Sequence, residues 1–220
     1  MAELASKEKI AKRIAKLFKD GDLVNLGVGI PTTVTDFLPE DVSVWLESEN
    51  GIIGGGPAAA PGKEDLYFKD AADKYCTIRP GGCTFNSATS FGLIRGGHLD
   101  YTVLGAMQVD QKGNLANWMV PGGKLAGMGG AMDLVAGAKK VVIATEHCAR
   151  DGSPKILKEC TFPLTGESVV DIIVTELAYI EATDEGLLLK EIAPGVTVEE
   201  VIAKTSATLT IADDLKVMDI

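Results

Sequence analysis

The run Glu47-Ser48-Glu49-Asn50-Gly51-Ile52-Ile53-Gly54-Gly55-Gly56 is the strongest chemical signal in the chain. It follows the β-branched and aromatic residues 42–46, so a strand is expected to end in a polar turn. Such a strand end presents one side chain at the carboxyl edge of a sheet, where open α/β folds bind ligands. A carboxylate there is costly to desolvate. Donors from Asn50 and nearby backbone N–H groups would keep Glu49 ionised, and the glycines let that backbone come close. The run also fits a plainer role, a solvent-exposed acidic turn, which is the usual fate of Ser-Glu-Asn-Gly.

Other candidates are weaker. Gly27-Val28-Gly29, with Glu47 about 20 residues on, mimics part of a dinucleotide fingerprint. Position 32 is Thr rather than the third glycine, and Pro31 intrudes, which favours a tight turn beside a ligand. The two histidines, His98 and His147, read as structural, because no G-x-S-x-G elbow accompanies them. Cys148 beside His147 does not make a thiol nucleophile, since adjacent strand residues point to opposite faces. Arg95 before Gly96-Gly97 suits the C-terminus of a helix.

Several elements must position these residues. Residues 6–20 carry Ile10, Ile14, Leu17 and Phe18 at helical spacing, with Ser6 to cap the start and Gly21 to end it. Residues 23–29 form a short apolar strand, and Pro31 opens a second short helix to about Phe37. The Gly/Pro/Ala-rich residues 54–62, and the stretch on to Tyr75, read as loop. Asn86 or Ser87 caps a helix that stops before Gly96. Residues 100–109 and 115–120 flank a hairpin turn at Asp110-Gln111-Lys112-Gly113-Asn114. The glycine-dense residues 122–130 lead into a helix at 131–138, followed by a buried strand at 140–145. Residues 172–181 and 187–191 pair through Asp184-Glu185-Gly186, and Thr197-Val198-Glu199-Glu200 is a capping box for a last helix. Alternating strands and short helices imply a single α/β domain over residues 1–220, an open, mostly parallel sheet with flanking helices.

Composition narrows the classes. The chain has 220 residues, 46% hydrophobic and 24% charged, enough for a sizeable core. A net charge of −10 argues against nucleic acid as a partner. No stretch approaches the ~18 apolar residues of a membrane span, and no signal peptide is expected. Cys76, Cys83, Cys148 and Cys160 lack zinc spacing and read as reduced thiols in a cytoplasmic protein.

The Ser48–Gly54 segment resembles the active-site signature of the family I CoA transferases, the 3-oxoacid and acetoacetate–butyrate type. So do Asn25-Leu26-Gly27-Val28-Gly29-Ile30-Pro31, Leu93-Ile94-Arg95-Gly96-Gly97-His98 and 103–110 when set beside β subunits of that family. The likeness continues through 113–118, Gly127-Met128-Gly129-Gly130-Ala131-Met132-Asp133-Leu134 and Glu146-His147-Cys148, and so spans nearly the whole chain. One departure is Glu47, where these enzymes usually carry Gln or His. It adds a second carboxylate beside Glu49, able to alter its pKa or the acid preferred.

The resemblance implies the fold shared by CoA transferases and phosphosugar isomerases. It also implies ping-pong transfer of coenzyme A between short-chain acids such as acetoacetate, acetate or butyrate, through a glutamyl-CoA thioester on Glu49. Asn50 would orient Glu49 and the Gly130 N–H would stabilise the oxyanion. Gly27, Gly29, Ser48, Gly51, Gly54, Gly55 and Gly129 would line the CoA and acyl pocket, with residues 54–56 as its wall. No metal and no permanently bound cofactor is expected, coenzyme A being a co-substrate. The expected partner is an α subunit, commonly in an α2β2 heterotetramer. The alternatives are an acyl-CoA hydrolase on the same scaffold and a non-catalytic sensing or assembly subunit.

Overall fold

A computed structural model describes residues 4–123 and 127–220 of the chain. Helix α1 (Ser6–Ala15) buries Ile10, Ala11, Ile14 and Ala15. It stops five residues before the expected end, and its N-cap is Ala5 rather than Ser6. Glu8 reaches back to accept from the Ala5 N–H at 2.8 Å. Strand β1 (Leu23–Leu26) leads through a 3-10 helix (Ile30–Phe37), with Pro31 in its first turn, to β2 (Trp45–Ser48). β3 (Ile52–Ala58) and β4 (Cys76–Thr84) precede α2 (Ser87–Arg95) and β5 (Tyr101–Leu104). Next come β6 (Gln108–Asp110), β7 (Leu115–Ala116), α3 (Ala131–Gly137), β8 (Lys140–Ala144) and β9 (Ile156–Leu157). The chain closes with β10 (Ile172–Val174), β11 (Ala178–Thr183), β12 (Gly186–Ile192), α4 (Val198–Ala203) and β13 (Leu209–Val217).

Among the described residues ten strands make one sheet in the order β13-β12-β11-β10-β8-β5-β1-β2-β3-β4. The middle five, β10 to β2, run parallel. The flanks are antiparallel at β2–β3–β4 and β10–β11–β12. Alternation along β8 explains why both faces are covered. Val142 and Ala144 join the cluster beneath α1 and the 3-10 helix, while Val141 and Ile143 join Ile94 of α2, Leu134 of α3 and Val201 of α4. Each such fully buried Val, Leu or Ile side chain contributes roughly 1.5–3 kcal/mol.

Three expectations are corrected. Residues 54–58 are strand, not loop: the Gly-Gly-Gly-Pro stretch continues β3 between β2 and β4, with register shifts at Gly55 and Ala58. The irregular part is 59–75. The expected strand at 100–109 breaks after Leu104, with β5 joining the large sheet and β6 pairing with β7 in a three-stranded sheet with β9. The anticipated turn between β6 and β7 is held by buried Asp110, which accepts from the N–H groups of Lys112 and Asn114 and from the Asn114 amide. Likewise 172–181 divides into parallel β10 and antiparallel β11. No helix among the described residues is long and apolar enough to cross a membrane. The segment 122–130 is described except at 124–126, so that part of the glycine-dense reading lies outside the described residues.

Candidate active site

Strand order locates the site. β2 lies on one side of β1 and β5 on the other, so the chain leaves β1 in both directions and a crevice opens beyond the carboxyl ends of these strands. Glu49 follows β2 directly and faces this crevice. Register supplies its floor. Asn25 of β1 is the partner of Glu47 on β2 and of Thr102 on β5, so the three side chains point to the same face. All three are buried, Asn25 at 2% and Glu47 at 4% exposure.

They form a continuous polar row. Asn25 Nδ2 donates to Glu47 Oε2 at 2.8 Å and, more weakly, to Glu49 Oε2 at 3.5 Å. Thr102 Oγ1 donates to Asn25 Oδ1 at 3.4 Å, and Ser90 Oγ, from α2, donates to Glu47 Oε1 at 2.8 Å. Burial pushes the Glu47 carboxyl above its usual range. The hydrogen bonds from Asn25 and Ser90 oppose that rise, and the neighbouring Glu49 adds to it.

Above this floor is a cavity of about 200 Å³. It is lined by Asn25, Gly27 and Val28 from the end of β1, Ser48 and Glu49 from the end of β2, Leu104 from β5, and Met128 to Ala131 at the start of α3. Gly130 lies directly beside the Glu49 side chain. A Cβ built on it would sit 3.4 Å from Glu49 Cγ and 3.3 Å from the Phe91 ring, so any side chain there would crowd both.

The fourth wall is Asp70, Ala71 and Ala72 of the loop 59–75, which crosses the cavity as a strap. Its anchors are the two residues that flank Glu49. Ser48 Oγ accepts from the Ala71 N–H at 2.9 Å, and Asn50 Nδ2 donates to the Lys69 carbonyl at 2.7 Å. Asp70 stiffens the strap by accepting from the N–H groups of Ala72 and Lys74, and Lys69 pairs with Asp73.

The expected site residues therefore divide. Glu49, Ser48, Gly27, Gly129 and Gly130 meet around one cavity. Asn50 does not bond Glu49. Its exposed amide holds the strap, and the amide beside Glu49 belongs to Asn25. Gly51 lies beneath the turn, not in the lining. Its φ is +113°, and a Cβ there would fall 2.0 Å from the Phe85 carbonyl oxygen, so the tight β2–β3 reversal that presents Glu49 requires glycine. Gly54 and Gly55 are also outside the lining: both belong to β3, where Gly54 packs on Trp45, Arg79 and Gly82. Gly29 precedes the 3-10 helix and is not part of the lining either.

Asn25, Ser90 and the strap are site elements that the sequence reading misses. The signal for Asn25 is a single amide inside the apolar run Leu23-Val24-Asn25-Leu26, at the carboxyl end of a buried strand. His147 is structural, as expected. Both ring nitrogens meet threonine hydroxyls at 2.9 Å, Thr175 and Thr205, and burial brings its pKa down to about 4. Arg95, at the end of α2, pairs with Asp133 of α3. A larger hollow of about 740 Å³ involves Lys112, Asp171, Asp184 and Glu185. Asp171 precedes β10, so this hollow lies at the opposite edge of the sheet from Glu49.

Comparison with known proteins identifies the family. Residues 7–204 match the family model described as Coenzyme A transferase. The chain is 54% identical over 215 residues to acetate CoA-transferase subunit beta of Haemophilus influenzae, covering 98% of this chain and 96% of that one. The corresponding Escherichia coli K12 protein, with the same name, is 51% identical, covering 96% of each chain. Among solved structures, the acyl-CoA transferase YdiF apoenzyme of Escherichia coli O157:H7 superposes with a TM-score of 0.80 at 25% identity. That match takes in all of this chain and 44% of that chain.

Proposed function

Because this chain belongs to the coenzyme A transferase family and is an enzyme that transfers CoA, we propose that Glu49 is its nucleophile. The cargo passes between short-chain carboxylic acids, acetate and a 3-ketoacid such as acetoacetate being suggested by the names of its relatives, and a cavity of about 200 Å³ has room for acids of that size. The observation that carries this reading is the half-buried Glu49 carboxylate at the switch point of the sheet, with the Asn25 amide on one side and Gly130 on the other.

Glu49 attacks the acyl-CoA carbonyl and expels the CoA thiolate, giving a mixed anhydride. The thiolate then attacks the Glu49 carbonyl carbon. The first acid leaves as its carboxylate, carrying one former Glu49 oxygen, and a glutamyl-CoA thioester remains. An acceptor acid reverses these steps. Asn25 aims Glu49, and the Gly130 N–H is the donor proposed for the oxyanion of each tetrahedral intermediate. Coenzyme A is a co-substrate, with no cofactor held permanently. The strap at 69–72 limits entry of water, which would hydrolyse the anhydride or thioester.

Two relatives are named as beta subunits. We extend that to this chain: it pairs with an α subunit, as an α2β2 assembly, which completes the CoA site over the open side of the cavity. The four unpaired cysteines suit the reducing cytoplasm. The test is to incubate the co-expressed complex with acetoacetyl-CoA and no acceptor, reduce with borohydride, digest, and weigh the Glu49 peptide. Reduction of Glu49 to the alcohol is the expected result. An unmodified Glu49 with steady CoA release would make the protein a hydrolase, and an unmodified Glu49 without turnover would leave a sensing or assembly subunit.

A further inference from the structure

Glu47 is a buried ionisable group beside the nucleophile that the transfer steps leave unused. It is set among neutral groups: Asn25 from β1, Ser90 from α2, and Ile53, its register partner on β3. Glu49 is the charged side chain that acts on it, and no cation does so among the described residues. The two carboxylates share one nitrogen, Asn25 Nδ2, and the charge on Glu49 adds to the rise of the Glu47 carboxyl. The ionisation of Glu47 is thus coupled to whether Glu49 carries its charge. The coupling has a chemical consequence because the proposed reaction deletes one of the two charges: the Glu49 carboxylate becomes an uncharged thioester.

We propose that Glu47 is a positioning carboxyl whose protonation follows the covalent state of Glu49, ionising when Glu49 is esterified and regaining its proton when the free carboxylate returns. In the free enzyme, a protonated Glu47 leaves the negative charge on the nucleophile. In the thioester, an ionised Glu47 accepts the Asn25 amide fully and holds the floor of the site in place while the acceptor acid enters. The inference rests on Glu49 being the nucleophile.

Proton balance makes it testable. Acyl-CoA and the Glu49 carboxylate give thioester and a carboxylate anion, so the half-reaction itself neither takes up nor releases a proton. Any proton that appears with the thioester comes from a linked group. The complete complex, weakly buffered with an indicator dye, is mixed with acetyl-CoA in the absence of acceptor at several values across roughly pH 6–8, where the acetate set free stays ionised. Wild-type protein should show a burst of proton release, stoichiometrically tied to thioester, that peaks at one pH. The burst stays below one proton per site, because at any one pH Glu47 is only partly protonated before the step and only partly ionised after it.

E47Q keeps the side-chain shape and should form thioester with no burst. S90A removes one donor to the ionised form and should move the peak to higher pH. A wild-type thioester formed without proton release, or an equal burst from E47Q, would overturn the coupling while leaving Glu49 as nucleophile. Absence of thioester in the wild type would overturn the nucleophile and this inference with it. Slow hydrolysis adds only a steady drift after the burst.

Discussion

Replacing Gly51 by Ala tests whether the turn that presents Glu49 is as tight as its geometry indicates. A methyl group at Gly51 meets the Phe85 carbonyl oxygen at 2.0 Å and its carbon at 2.9 Å, both backbone atoms that no rotamer change can move. The two segments must part by about 1 Å before the closer contact reaches a tolerable distance. Parting them breaks the Phe85 N–H to Gly51 carbonyl hydrogen bond, now 2.9 Å, at about 1 kcal/mol. The positive φ of +113° adds roughly 1–3 kcal/mol for any residue with a Cβ. Together the expected loss is about 2–4 kcal/mol, close to 10 °C in midpoint for a domain of this size. Gly29 is the internal control. Its φ is +100°, but a methyl group there would meet nothing within 4 Å, so Gly29→Ala incurs the strain alone, roughly 1–3 kcal/mol. Thermal and urea unfolding of the two variants, followed by circular dichroism, gives the comparison. Equal losses would refute the argument, because they would mean that the approach to Phe85 contributes nothing.

Two further outcomes are expected. Combining Ser48→Ala with Asn50→Ala releases both anchors of the strap, and the ratio of CoA lost to water over CoA passed to acceptor should rise about tenfold; a parallel assay with and without acetate measures it, and an unchanged ratio would remove the strap from water exclusion. His147 is neutral in the fold with its pKa brought down to about 4. As pH falls from about 6.5 towards 4, the unfolded chain takes up a proton that the folded one does not, so about 3 kcal/mol present above that window is lost. Urea titrations from about pH 7 to 4 should show this slope, and His147→Asn should flatten it by about that amount.

Much of the architecture is readable from local pattern. The amide of Asn86 does cap α2, accepting from the Thr89 N–H at 2.8 Å, and Thr197 caps α4 by accepting from Glu200. These devices are short-range, so a window of a few residues contains them. β3 is hidden because Gly54-Gly55-Gly56-Pro57 has no strand preference of its own. It is held by ladders to β2 and β4, and the second of these begins 18 residues after β3 ends. β5 and β6 look like one strand for a related reason: Tyr101–Leu104 pairs with strands distant in sequence, and only that pairing shows where the strand stops. At the site, Glu49 and Gly130 are legible from their motifs. Asn25 is not, because its role comes from register with Glu47 and Thr102 across three strands. Asn50 is the amide nearest Glu49 in sequence, yet the folded turn directs it to Lys69.

The strap is fastened through the main chain on its own side: the Lys69 carbonyl accepts from the Asn50 amide, and the Ala71 N–H donates to the Ser48 hydroxyl. Every residue type except proline at 71 offers the same groups, so the attachment places almost no demand on which amino acids the loop carries. Evolution can therefore rewrite this wall of the cavity without disturbing the clasp that holds it. The turn that carries Glu49 stays fixed while the wall is free to drift. That separation makes residues 71 and 72, rather than Asp70 with its own side-chain bonds, the natural place for a lineage, or a directed library, to reshape the cavity.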